Sequence, residues 1–155
     1  MEKLEIISVN VRGLNTPEKR KKIYSWLKES NTDIVLLQET HYIEKNENLY
    51  NYNWKGDSFH AFSDSAFSKG VSVLFNDKIK TNIMNVRKSI DGRRSLINLE
   101  IDSKIFTLVN IYAPNDANKR CEFFKKLKVF ISKNCINENI ILCGDFDCNM
   151  SNDAE

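Results

Sequence analysis

Asn10, Glu39, Tyr112, Asp145 and Asp147 each stand at or just past the end of an apolar run: "IISVN", "IVLLQE", "FTLVNIY" and "IILCGDFD". Three carboxylates, an amide and a phenol gathered in one place would suit a hard cation and a phosphate. Mg²⁺ takes oxygen ligands and is often held by one or two carboxylates together with substrate phosphates. Open α/β sheets bind their ligands outside the carboxyl ends of the strands. A plainer explanation competes at each position, because buried runs meet water at strand ends and polar residues collect there anyway. Asp145 and Asp147 are two residues apart. An extended backbone would put both carboxylates on one face about 7 Å apart. Their repulsion would be roughly 2.4 kcal/mol at an effective dielectric near 20. One of them would then ionise less readily, or a cation would be drawn to the pair.

The elements that must position these groups can be read from the pattern. Residues 4–9, "LEIISV", form a β-branched run, and "RGLN" follows as a turn. "TPEKRKKIYSWLKES" reads as a helix, with Thr16 as cap, Pro17 at the first helical position and Glu18 at the positive end of the dipole. Ile23, Trp26, Leu27 and Ser30 share its expected apolar face. "DIVLLQET" is a second buried strand, so the three segments make a crossover joining two neighbouring parallel strands. Residues 41–68 carry only weak strand signals. "VSVLF", "TNIMNVRKS" and "RSLINLEI", separated by turn signals at Asn76-Asp77 and Asp91-Gly92, predict an antiparallel meander. "KIFTLVNIYAP" is a strand broken at Pro114. "DANKRCEFFKKLKVFISKN" is a helix with Phe123, Phe124, Leu127, Phe130 and Ile131 on one face, and "NIILC" is the last strand.

Composition sets outer bounds. The 155 residues suffice for one domain with a real core, and the net charge of +2 neither demands nor excludes a polyanionic partner. None of the four cysteines forms a C-x-x-C pair, and the two histidines, His41 and His60, lie far upstream of them. That spacing argues against zinc, and free cysteines suit a reducing, intracellular setting. No apolar stretch approaches the roughly 20 residues that would span a bilayer, so no membrane partner is expected. The basic run Lys19-Arg20-Lys21-Lys22 reads as a solvated helix face, and Arg93 and Arg94 read as exposed.

"SVNVRGL", "LLQETH", "VNIYAPN" and "CGDFDCN", in this order, resemble the endonuclease/exonuclease/phosphatase superfamily. The strongest likeness is to the apurinic-type endonuclease domain of non-LTR (LINE-type) retrotransposons, and "KGVSVLF" and "DGRRSLINLEI" fit the same pattern. The resemblance implies an α/β (α+β) fold, a two-sheet β-sandwich flanked by helices of the DNase-like kind. It implies Mg²⁺- or Mn²⁺-dependent cleavage of phosphodiester or phosphomonoester bonds. By motif position, Glu39 would be the metal ligand and Asn10 would support the metal and the catalytic water. Tyr112 would donate to the scissile phosphate, Asn115 would contact the nucleic-acid backbone, and Asp145 would orient or deprotonate the attacking water. His41 lies beyond the implied ligand and is read as structural. The implied partner is DNA, in the nucleus for a full-length protein, with a reverse transcriptase domain in the same polyprotein.

Two departures from the family pattern stand out. Asp147 occupies the place where the family's "GDFN" has an Asn, which removes N–H donors from the phosphate. The family's late "SDH"-type motif has no counterpart here. Residues 1–155 are therefore expected to be a single partial domain lacking its C-terminal section, with one sheet edge uncovered, and to nick DNA slowly or not at all. The rivals are a repair nuclease or phosphatase, which Arg12 two positions after Asn10 disfavours, and a non-catalytic remnant or nucleic-acid-binding module.

Overall fold

The computed structural model describes residues 3–148. β1 (Ile6–Asn10), α1 (Pro17–Glu29) and β2 (Ile34–Gln38) form the expected crossover unit, with β1 and β2 parallel from Ile6 opposite Ile34 to Asn10 opposite Gln38. That register brings the two strands to an end at the same level. β3 (Ser58–Ala61) and β4 (Val71–Phe75) complete the first sheet in the order β1-β2-β4-β3, β4 running antiparallel to both neighbours. The second sheet runs β5 (Asn82–Lys88), β6 (Arg94–Ile101), β7 (Lys104–Tyr112) and β8 (Ile140–Asp145). Its first three strands are antiparallel, and α3 (Ala117–Asn134) carries the chain over to a parallel β8, with Asp145 opposite Tyr112.

The expected meander is therefore corrected at its first member. β4 belongs to the first sheet, and Asn76-Asp77 is a crossing between sheets and not a hairpin. Asn76 ties that crossing to the loop before β2: its Nδ2 donates to the Thr32 carbonyl at 3.1 Å and its backbone N–H to the Asp33 carbonyl at 2.9 Å. The weakly patterned stretch 41–68 supplies β3 and the short helix α2 (Glu47–Asn51).

β2 is buried on both faces, which its unbroken apolar run requires. Ile34 and Leu36 face the second sheet and pack with Val73, Phe75, Ile97, Leu99 and Leu108. Val35 and Leu37 face the outer layer that holds Tyr24, Leu27, Tyr42, Tyr50 and Trp54. α3 covers the far side of the second sheet through Phe123 and Leu127, as its apolar face predicts. α1 turns differently from its predicted face. Arg20, Tyr24 and Leu27 are buried, while Trp26 is half exposed. Arg20 leaves the supposed solvated run because its guanidinium donates to the carbonyls of Leu14 and Asn15 and lies 5.5 Å from the Tyr50 ring centre. Thr16 stands at the N-cap position, but its side chain makes no capping bond. Among the described residues β8 is the outermost strand of its sheet, and its Ile140 and Leu142 are exposed.

Candidate active site

The ends of β1, β2, β7 and β8 converge. The Asn10 side-chain amide lies at the centre. Its Nδ2 donates to Glu39 Oε1 and to Asp145 Oδ2, each at 2.8 Å. Its Oδ1 accepts from the Arg12 backbone N–H at 3.0 Å, which fixes which way the amide points. Asp145 Oδ1 accepts from the Asp147 backbone N–H at 3.0 Å, so both oxygens of that carboxylate are held. The Tyr112 hydroxyl hydrogen-bonds Glu39 from the other side.

Glu39 sits in a left-handed backbone conformation, with φ +53°, and so does His41, with φ +59°. Non-glycine residues adopt that region at a cost of order 1–3 kcal/mol each, and it persists only where the surroundings over-determine it. Here the segment is pinned on both sides. Val11, Gly13 and Leu14 donate backbone N–H groups to the carbonyls of Gln38, Glu39 and Thr40, and Thr40 and His41 donate to Gly70 and Lys69. Gly13 is required for the fit, because a Cβ there would lie 2.8 Å from His41 Nδ1.

Burial opposes ionisation of Glu39, but the Asn10 amide, the Tyr112 hydroxyl and the His41 ring outweigh it and hold the carboxyl below the usual carboxylate range. His41 Nε2 is 3.5 Å from Glu39 Oε2, long for a hydrogen bond but close enough to favour the carboxylate. Burial and the neighbouring Glu39 push the Tyr112 hydroxyl up to about 12, so it stays a proton donor at neutral pH.

Three expectations change here. Asp147 does not share a face with Asp145, because β8 ends at Asp145 and the backbone is left-handed at Asp147, with φ +47°. Its carboxylate turns to Arg120 of α3 instead, 3.3 Å away. The anticipated cluster of three carboxylates is thus a pair, Glu39 and Asp145, and among the described residues no group of three His, Cys, Asp or Glu side chains is placed to hold a metal. Asn115 follows the end of β7 on the exposed surface, where its carbonyl accepts from Arg120 at 2.8 Å. Arg93 and Arg94 are only partly exposed: the Arg93 guanidinium lies 4.9 Å from the Tyr112 ring centre and donates to the Tyr112 carbonyl.

Some participants escaped the sequence reading. An open hollow of about 750 Å³ beside the carboxylates is lined by Ser8, Asn10, Gln38, Arg120, Asp145 and Asp147, among others. Beneath it, Gln38 Nε2 donates to Asn110 Oδ1 at 2.8 Å, and Asn110 Nδ2 donates to the carbonyls of Leu37 and Ser72, so the two sheets are bonded directly under the site. The available signal was a fully buried amide inside each of two apolar runs, since such groups must be paired. Arg120 carries no comparable signal.

Comparison with known proteins bears on this geometry. The family model described as "Endonuclease/Exonuclease/phosphatase family" matches residues 7–154. The chain belongs to the endonuclease/exonuclease/phosphatase family. Within it the chain is 28% identical over 145 residues to the transposon TX1 uncharacterized 149 kDa protein of Xenopus laevis, covering 93% of this chain and 11% of that protein. It is 26% identical over 155 residues to an exodeoxyribonuclease of Bacillus subtilis, covering 93% of this chain and 58% of the enzyme. The fold matches that of D. rerio TDP2, solved as a complex with a single-strand DNA product, with a TM-score of 0.69 at 22% identity over 96% of this chain and 62% of the other. It also matches the Xenopus laevis APE2 catalytic domain, with a TM-score of 0.69 at 18% identity over 94% of this chain and 59% of the other. The endonuclease/exonuclease/phosphatase chain described here therefore spans less than two thirds of these relatives' own lengths, and its two sheets with flanking helices are the family's fold.

Proposed function

We propose that the chain carries a divalent-metal-dependent phosphodiester hydrolase site that nicks DNA, as part of a transposon-encoded protein. The observation that carries this reading is the Asn10 amide joining Glu39 and Asp145 at 2.8 Å each. Two oxygen-donor carboxylates joined by one amide, with Asp145 lining the open hollow, fit Mg²⁺ or Mn²⁺ held by one or two protein ligands. Glu39 would be the direct ligand, with Asp145 beside it. The ion, when bound, supplies charge stabilisation at the phosphate. Asp145, oriented by Asn10 and by the Asp147 backbone, accepts the proton of the attacking water. Tyr112, kept protonated, donates to the charge that develops on the phosphate. Asn115 lies one turn further out, where a flanking nucleic-acid backbone would pass. The transposon and exodeoxyribonuclease relatives support DNA as substrate.

Hydrolysis by these 155 residues alone should be slow. The only histidines are His41, behind Glu39, and His60, fully buried elsewhere, so neither protonates a leaving group on the open side. The test is relaxation of supercoiled plasmid with Mg²⁺, run on the parent, Glu39→Gln and Asp145→Asn, alongside calorimetric titration with Mn²⁺. Slow Mg²⁺-dependent nicking that both substitutions abolish, with Mn²⁺ binding lost in Glu39→Gln, is expected. Nicking that persists in Asp145→Asn, or Mn²⁺ affinity untouched by Glu39→Gln, would overturn the assignment.

A further inference from the structure

We propose that a cleft between the start of β6 and the first half of α3 is a second phosphate site, gripping the DNA backbone beside the bond to be cut. This rests on the DNA-hydrolase reading. The cleft measures about 160 Å³. At roughly 30 Å³ of liquid volume per water it accommodates about five waters, or a phosphate with part of its hydration. Its charged lining is Arg93, Arg94, Lys119 and Lys126 against Asp91 and Glu122. Positive charge is therefore in excess.

Arg94 is the guanidinium of the cleft wall that packs on α3. Its guanidinium is held 5.5 Å from the ring centre of Phe123 and 5.4 Å from that of Phe130. Nε and Nη1 are closed off from water and meet no acceptor among the described residues, so Nη2 is the amine left to face the cleft. Arg has N–H donors and no acceptor, and a charge-assisted bond from a guanidinium to phosphate is among the stronger ones. The rings hold the cation in place but cannot accept its N–H groups in the ring plane. Lys119 stands exposed in the first turn of α3, with no ion pair among the described residues. Lys126 is paired with Glu122 on the open surface, where water screens the pair and a phosphate can compete for the ammonium.

Arg93 links the cleft to the proposed catalytic site. Arg93 lines the cleft while its guanidinium lies over the Tyr112 ring and donates to the Tyr112 carbonyl at 3.1 Å. Pro114, just past Tyr112, forms part of the same wall. A strand whose scissile phosphate rests on Tyr112 would lay a neighbouring phosphate against Arg94 and Lys119. Contacts of this type set register and affinity without reading sequence.

The test uses a fluorescein-labelled DNA duplex and fluorescence anisotropy over a range of KCl, in an Asp145→Asn background so that the DNA stays intact. Lys119→Ser and Arg94→Lys are compared with Lys21→Ser, a control on the exposed face of α1. Lys119→Ser should lower the slope of log affinity against log salt by about one and weaken binding alike for all sequences. Arg94→Lys keeps the charge but loses the guanidinium seated on the two rings, and should weaken binding at an unchanged melting temperature. ¹⁵N spectra should show the Arg94 Nε–H signal shifting on addition of duplex. Binding by the parent with unchanged slope and affinity in both variants would overturn the cleft and leave the hydrolase reading standing. A shift of Arg94 with inorganic phosphate but not with duplex would mark a free-anion site and overturn the DNA assignment. A parent that neither binds duplex nor nicks plasmid would overturn both.

Discussion

At the scale of single residues, Asn10 matters more than its lack of charge suggests. It makes two carboxylates compatible at close range by donating to both, and the Arg12 N–H keeps it from flipping. Asn10→Ala should cut nicking on the order of 10²–10³-fold, comparable to loss of one preorganised donor, with the acid limb of the pH–rate profile moved upward because Glu39 loses a bond that favours its ionised form. An unmoved acid limb would separate Asn10 from the ionisation of Glu39. Asp147 reads differently from its sequence motif. As a carboxylate in place of an amide it looked like a source of repulsion, yet Arg120 pairs with it. Asp147→Asn alone should change the rate less than about tenfold. A double-mutant cycle with Arg120→Ala should return a coupling of about 0.2–1 kcal/mol, the range for partly exposed pairs. A rate gain of about a hundredfold or more in Asp147→Asn would restore the repulsion view.

At the scale of elements, the site depends on how strands end. Gly144 lets β8 reach Asp145 with φ +146°, and a Cβ there would lie 2.1 Å from the Ile111 carbonyl oxygen. Gly144→Ala should cost on the order of 2–3 kcal/mol of stability, read from urea denaturation, with Asp145 displaced from Asn10. A variant as stable as the parent would show that β8 can shift without penalty. The strand ends were legible because an apolar run that stops at Asn, Glu, Tyr or Asp announces both a strand and a polar tip. Helical spacing of apolar residues likewise exposed α3, while its cap, Asp116, which accepts from the Lys119 N–H at 2.9 Å, was not singled out. What stayed hidden depends on partners distant in sequence. β4 looked like the first strand of a meander because a turn signal does not say which sheet receives the next strand. Arg20 looked solvated until the carbonyls of Leu14 and Asn15 were seen within reach. Arg93 and Arg94 looked like ordinary surface charge because stacking of Arg93 on Tyr112 needs β6 beside β7, and stacking of Arg94 on Phe123 needs α3 on the second sheet.

At the scale of the whole molecule, the first sheet carries a pH liability away from the site. His60 is fully buried, with Nδ1 2.7 Å from the Ser72 hydroxyl and Nε2 2.8 Å from Asn51 Oδ1. Burial first, then the charge of Lys88, pushes its pKa down to about 3 from an ordinary 6.5. A depressed folded-state value means that the unfolded chain binds the proton first. His60 therefore contributes stability above about pH 6.5 that is lost as pH falls toward about 3. Denaturation midpoints should drop through that window, and His60→Gln should remove up to one proton from the linkage slope. An unaltered slope would place the acid sensitivity elsewhere. The bridge at the site has a consequence of another kind. Asn10 and Asp145 are 135 residues apart in the chain. Domains fold largely as units, and β1, β2 and Glu39 leave the ribosome before β8 is made. The carboxylate pair comes into being only when the last described strand docks and the sandwich closes. A half-made chain holds one carboxylate and no partner for it. Under the proposed reading, the site is therefore assembled only once the fold that confines it is in place.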